Sequence, residues 1–307
     1  MASVRSSPAM MRPLPGAAAA AIIAGAFAAL YLLERRRPLR RRTDDDTSRT
    51  ATNLVAAAAS AVAIRALEKP VVTPLARMVA TRRLGLLQKL GLPPWAELTA
   101  GVVLLDYTLY LWHVLTHKMP MLWRFHVAHH ADLDLDASTA LRFHFAEMIL
   151  SIPWRAAQVV VVGAGPRTLS IWQTSTLVAI LFHHSNLELP APVERWLCRL
   201  VTTPRMHGIH HSVVPEETDS NWSTIFSFPD YLHATIRLNV PQEEITIGVP
   251  SHRRPLRITT FLALPFRERP ARSMTPPRRL AALGPAASLA DAMPPADRVA
   301  HWRDVVS

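Results

Sequence analysis

A single cysteine, Cys198, stands among 307 residues. That excludes an intramolecular disulfide and any structural zinc site built on several thiolates. Acidic side chains are also scarce: 23 Asp and Glu against 34 Lys and Arg leave a formal charge of +11. No zinc finger or other nucleic-acid motif accompanies the basic surplus, so no nucleic-acid partner is expected. The Glu-x-x-His pairs of carboxylate-bridged di-iron bundles are missing. Gly163-Ala-Gly165-Pro166 lacks the third glycine of a dinucleotide fingerprint and follows a helical run. No haem or flavin domain is recognisable.

Half the residues are hydrophobic despite 26 prolines. They are segregated into long apolar runs that alternate with Arg-rich stretches, as in a membrane protein. The basic surplus then reads as membrane-flanking charge. The runs Gly16 to Leu33, Ala51 to Leu67, Trp95 to Trp112, Ala146 to Gly163 and Thr168 to Phe182 are candidate spans. Pro70 to Leu90 is mixed and basic and reads as an interfacial amphipathic piece. The fold class expected is all-α, a polytopic membrane helical bundle of about four to five spans.

Arg35 to Arg42 places the end of the first span in the cytoplasm by the positive-inside rule. Counting on from there brings His113, His117 and His184 to the cytoplasmic membrane face. The bundle is therefore expected to carry a histidine-rich di-metal cap on that side. The abundance of Ala, Arg and Pro points to a GC-rich genome, and the expected location is a bacterial inner membrane. Domain boundaries follow: a flexible N-terminus over 1–14, membrane helices and an interfacial segment over 15–94, a catalytic domain over 95–240, and a Pro/Arg-rich tail over 241–307 expected to be largely disordered.

Eleven of the fourteen histidines fall between His113 and His211. Three groups stand out: His113-Val-Leu-Thr-His117, His126-Val-Ala-His129-His130 and His207-Gly-Ile-His210-His211, with His144 and His183-His184 between the last two. Residues three and four apart share a helix face, so each group is expected to point one way. A lone histidine is more often a satisfied core residue than a ligand. A pair and two identical triplets point to metal. Imidazole suits iron, copper, nickel and zinc, and so many histidines exceed what one ion can use, so two ions are expected. Asp106 lies inside an apolar span on the face of Tyr110, His113 and His117, where it could orient a histidine from behind or bond to a neighbouring helix. Asp132, Asp134 and Asp136 read as a solvated loop.

With these motifs on the page, the chain resembles the fatty acid hydroxylase superfamily, also called the sterol desaturase family. The resemblance rests on Tyr110-Leu-Trp-His113-Val-Leu-Thr-His117, Leu122-Trp-Arg-Phe-His126-Val-Ala-His129-His130, Thr139-Ala-Leu-Arg-Phe-His144, Phe182-His-His184-Ser-Asn186 and Thr203-Pro-Arg-Met-His207-Gly-Ile-His210-His211, on to Asp219-Ser-Asn221. It covers roughly 95–240. It implies a non-haem di-iron membrane enzyme that uses O₂ to hydroxylate or desaturate a lipid, with electrons from an external donor or reductase. Zinc could replace the two iron ions during expression. The resemblance carries over His113, His117, His126, His129, His130, His184, His207, His210 and His211 as ligands, His144 as a further candidate, and Asp106 and Asn221 as supporting residues. His183 is not required by the family motif. Where many members end in Trp-Asp-x-Leu-Phe-Gly-Thr, this chain has Phe228-Pro-Asp230-Tyr-Leu-His233-Ala-Thr235, so the aromatic-glycine turn is expected to be lost. Hydroxylase, desaturase and non-catalytic metal-binding protein all remain open, as does the oligomeric state.

Overall fold

The computed structural model describes residues 11–43 and 47–267. The described residues are mainly helical, and their only β pairing is in isolated bridges. The long helices are α1 (Gly16–Arg36), α2 (Thr47–Ala63), α3 (Lys69–Arg82), α5 (Pro94–Lys118), α8 (Ile152–Val162) and α9 (Pro166–His184). Shorter ones are α4 (Leu86–Leu90), α6 (Pro120–His130), α7 (Phe145–Leu150), α10 (Ala191–Leu197), α11 (Pro204–His210), α12 (Pro215–Thr218), α13 (Phe228–Leu232) and α14 (Ile258–Ala263). Four helical stretches are long and apolar enough to cross a membrane: Gly16–Arg36, Thr47–Leu90, Pro94–Lys118 and Phe145–Val162. The fifth expected span is α9, which is not among these four and packs between α1 and α5.

Proline sets where several helices begin. It occupies the first turn of α5, α6, α8, α9 and α11, where its missing N–H costs nothing. Between α2 and α3 the chain stays helical through a π turn, Ile64–Glu68, in which the Lys69 N–H reaches Ile64 O. Pro70 follows at once and has no N–H to continue the usual ladder.

One face of the stretch expected to be interfacial, Pro70 to Leu90, packs inside the helical bundle. Val72, Ala76 and Val79 of α3 are core residues, packed with Leu105 of α5, Val159 of α8 and Trp172 of α9. Small side chains every three or four residues let α3 and α8 approach closely, and the basic residues fall on the outer face.

A correction concerns Asp132, Asp134 and Asp136, which are buried, not solvated. Arg49 of α2 pairs with Asp132 at 2.9 Å and also with Asp136. Asn53 donates to Asp132 at 3.2 Å, and Arg142 donates to Asn53 at 2.7 Å. The Thr43 N–H takes Asp134 at 2.9 Å.

The expected N-terminal and C-terminal flexible pieces lie partly outside the described residues. Within them, residues 241–267 fold back on the helices. Phe261 and Leu264 enter a cluster with Trp123, Val127 and Ala128, so this stretch packs on α6 directly beside its histidines.

Candidate metal centre

Nine histidines converge into two adjoining sets. His113, His117, His126, His130 and His210 form one; His129, His184, His207 and His211 form the other, with potential ligand nitrogens in each set within 4.8 Å of one another. The first set draws on α5, α6 and α11, the second on α6, α9 and α11. The expectation that each triplet points one way is thereby corrected. In each triplet the residues four apart go to one set and the middle one goes to the other. Adjacent His129 and His130 diverge because successive helical residues are rotated by roughly 100°. His207 and His211 pair in the same manner, while His210 crosses over.

The outer nitrogens are tied to the scaffold. The Nδ1 atoms of His113 and His210 lie 2.8 Å from the carbonyls of Trp222 and Ser220. His183 Nδ1 is 3.1 Å from Thr224 O, and His184 Nδ1 is 2.9 Å from Ile180 O. His126 Nδ1 meets Glu147 Oε1 at 2.9 Å. Such bonds fix the tautomer, leaving the other nitrogen as a lone pair, and hold the ring plane.

Many of the remaining ring nitrogens have no partner. His126 Nε2 and His210 Nε2, both ring nitrogens of His117 and His130, and the Nδ1 atoms of His129, His207 and His211 are buried without a protein partner. In the second set, His184 Nε2 lies 2.9 Å from His129 Nε2 and 3.1 Å from His207 Nε2, which lies 3.1 Å from His211 Nε2. Each unpartnered buried polar atom costs about 1–3 kcal/mol. So many together form a donor set fitted to cations, and imidazole suits iron. Burial, and then the neighbouring imidazoles, hold His129, His130, His207, His210 and His211 well below the ordinary 6.5. They are thus neutral, the form that binds metal.

The carbonyls of Ser220, Trp222 and Thr224 thus each meet a histidine from one irregular strip, 220–226. Two buried carboxylates hold that strip. Asp230 accepts from the Trp222 and Ser223 N–H groups at 3.0 and 2.9 Å; Asp106 accepts from those of Ile225 and Phe226 at 3.2 and 3.0 Å. Asp106 therefore holds backbone and does not bond a histidine directly. Asn221, with φ 52°, clamps the start of the strip: its amide donates to Met206 O at 2.9 Å and Arg237 O at 2.8 Å. Both side chains bond backbone.

His144 stands outside both sets. Its Nδ1 accepts from the Ala146 N–H at 3.1 Å, capping α7, and its Nε2 is 3.2 Å from Leu262 O. Both nitrogens are occupied, so the expected ligand role gives way to a capping one. His183 is also outside, although its ring lies 4.0 Å from that of His207. Glu147, Asp230 and the three carbonyls had no assigned role in the sequence reading. A backbone carbonyl leaves no side-chain signature, and His126 to Glu147 spans 21 residues. Arg40 supports α11 from outside: it donates to Pro204 O at 3.3 Å and lies so near Gly208 that a side chain there would collide with its guanidinium.

The description of the matching family model is fatty acid hydroxylase. It matches residues 98–235, so that stretch is similar to the fatty acid hydroxylase family. All nine clustered histidines lie inside this fatty acid hydroxylase region. The chain is 30% identical over 156 residues to an ornithine lipid hydroxylase of Rhizobium tropici, covering 50% of this chain and 45% of that protein. It is 26% identical over 140 residues to an alkylglycerol monooxygenase of Xenopus tropicalis, 45% and 29% of the two chains. It is 28% identical over 144 residues to a cholesterol 25-hydroxylase-like protein of Danio rerio, 46% and 55%. The chain thus spans about half or less of these relatives' lengths. No solved structure matches it.

Proposed function

We propose that this protein is a membrane-embedded lipid hydroxylase with two iron ions, one in each histidine set. The observation that carries the proposal is the convergence of nine histidines into sets of five and four, with many of their ring nitrogens buried and unpartnered. Bound iron would supply the O₂-activating chemistry that an unactivated C–H bond requires. One oxygen atom enters that bond; the other leaves as water, with protons and electrons from an external donor or reductase. The named relatives are hydroxylases and a monooxygenase, which favours oxygen insertion over desaturation.

The chain's own contribution is positional. His113, His117, His126, His130 and His210 would hold one ion, and His129, His184, His207 and His211 the other. The strip from Ser220 to Phe226 keeps the rings of His113 and His210 in place, and Glu147 does so for His126. Trp222 and Trp123 close over His117 with ring centroids at 6.3 and 5.0 Å, excluding water from that side. We place the spans in a bacterial inner membrane with the histidines toward the cytoplasm, on the charge of Arg35 to Arg42.

Metal analysis of detergent-purified protein beside His129→Ala tests the site. About two irons per chain, reduced in the variant, is the expected result. Stoichiometric zinc would call for iron reconstitution before assay, since zinc can substitute during expression. No metal in folded wild type would overturn the assignment. Incubation of the iron-loaded enzyme with a reductant, O₂ and membrane lipids should yield a product heavier by one oxygen. A product lighter by two hydrogens would make it a desaturase.

A further inference from the structure

Helices α10 and α13 lie side by side at the edge of the histidine cap. The Ser227 N–H bonds Leu200 O at 3.1 Å, Thr202 N–H bonds Ile225 O at 3.1 Å, and Val201 pairs with Phe226 in an antiparallel bridge. Buried Glu194 accepts from Thr203 and fixes the inner face of α10. The outer faces are apolar and exposed. Val193, Trp196 and Leu200 follow one another at helical spacing, as do Phe228, Tyr231 and Leu232; Trp196 is 69% and Leu232 66% exposed. A cluster of exposed apolar side chains of this kind points to an interaction site.

Its depth can be read from α5. Phe228 stacks on Tyr107 with ring centroids 6.3 Å apart. Tyr107 lies inside the apolar run of α5, six residues before His113, so roughly 9 Å nearer the bilayer centre at 1.5 Å per residue. Phe228 is therefore level with the apolar band of a spanning helix, while Arg195 and Arg199 extend from the same platform and can reach headgroups. Continuity with α5 and this pairing of Trp and Arg identify the occupant as the lipid leaflet itself.

We propose that α10 and α13 form an interfacial platform whose Trp196, Leu200, Phe228 and Leu232 side chains insert into the leaflet beside α5. The proposal rests on the reading of α5 as a membrane span. It gives a substrate lipid a definite side of approach. A chain leaving the leaflet at Phe228 meets Tyr107, then Tyr110, whose ring lies 6.4 Å from Trp222, which in turn borders His117. His233 stacks on Tyr110 at 5.2 Å and bonds the Tyr107 hydroxyl at 3.0 Å, so it covers the start of that route.

The test uses the full chain carrying Cys198→Ser, with Leu232→Cys or Trp196→Cys bearing a nitroxide. The protein is reconstituted in vesicles of equal parts phosphatidylcholine and phosphatidylglycerol. Val62→Cys on α2 reports lipid and exposed Glu243→Cys reports water. Power saturation is expected to show sites 232 and 196 several-fold richer in O₂ relative to nickel chelate than site 243, as at site 62. Nickel access at either platform site equal to that at 243 would overturn the proposal. Nickel access at 62 as well would instead overturn the membrane-span reading. Metal content per chain checks that each variant is folded.

Discussion

Asp132 and Asp136 follow His129 and His130 by only a few residues and are just as buried, yet the two groups are satisfied in opposite ways. The carboxylates are met inside the chain: Arg49, Asn53, Thr139 and Ser138 all bond to them. The imidazoles are met only in part: His113, His126, His184 and His210 each bond the scaffold through Nδ1, while many other ring nitrogens are buried without a partner. A buried polar group must find a partner or exact a penalty of about 1–3 kcal/mol. A network that closes on itself is structural. One that leaves several nitrogens unpartnered is suited to a cation brought in from outside.

The largest effect is expected where the closed network is opened. Arg49→Ala would leave Asp132 and Asp136 facing each other without their guanidinium. Losing one partner of a buried ion pair costs about 3–5 kcal/mol, and urea unfolding in detergent should show a loss of that order. Metal per folded chain should stay at the wild-type value. Loss of metal at unchanged stability would show that the two regions act as one and break the distinction between them.

How far the sequence disclosed these regions depends on range. The histidines were visible because their spacing is local. The same local view placed each triplet on one face, whereas the angular divergence of His129 from His130 sends them to different sets. The aspartates were misread because Arg49 lies 83 residues before Asp132. A run of acids in a polar stretch has the composition of a solvated loop unless the distant arginine is seen. In α3, prolines and basic residues suggested an amphipathic piece, and Val72, Ala76 and Val79 are the face that packs. The supporting carbonyls of Ser220, Trp222 and Thr224 could not be read at all, because every residue has one.

Acid should separate the two regions by midpoint. Folded His129, His130, His207, His210 and His211 resist protonation, whereas an unfolded chain takes up protons below about 6.5. Their neutral burial is therefore free of penalty above that pH and increasingly costly below it. Asp136 has the same sign at lower pH. Burial alone would raise it, but Arg49 and the Ser138 bonds hold it below its usual 3.8, so its contribution persists until the medium is more acidic than that. For metal-free protein between about pH 7.5 and 5, stability should fall with a slope exceeding one proton, or about 1.4 kcal/mol per pH unit. Arg49→Ala should lower the whole curve without changing that slope. A flat profile over this range would mean that the imidazoles are not buried as a neutral set.

The smallest effect tests the strip that carries the histidine carbonyls. Ala234 stands in a left-handed turn: it has φ 53°, and Thr235 N–H reaches Asp230 O at 2.8 Å. An alanine held in the left-handed region costs about 1–2 kcal/mol, which glycine would not. Glycine in turn gives up about 0.4–1 kcal/mol through the greater freedom of the unfolded chain. Ala234→Gly should therefore gain a few tenths to about 1 kcal/mol in unfolding free energy, with metal content unchanged. The strain persists because Asp230, Thr235 and Tyr110 hold the turn from three sides, through bonds at 2.7 and 3.0 Å about the Thr235 hydroxyl. A destabilised Ala234→Gly would mean that the methyl group packs against something those bonds do not supply. The turn would then be held by contact, unlike the Asp132 network, which is held by charge.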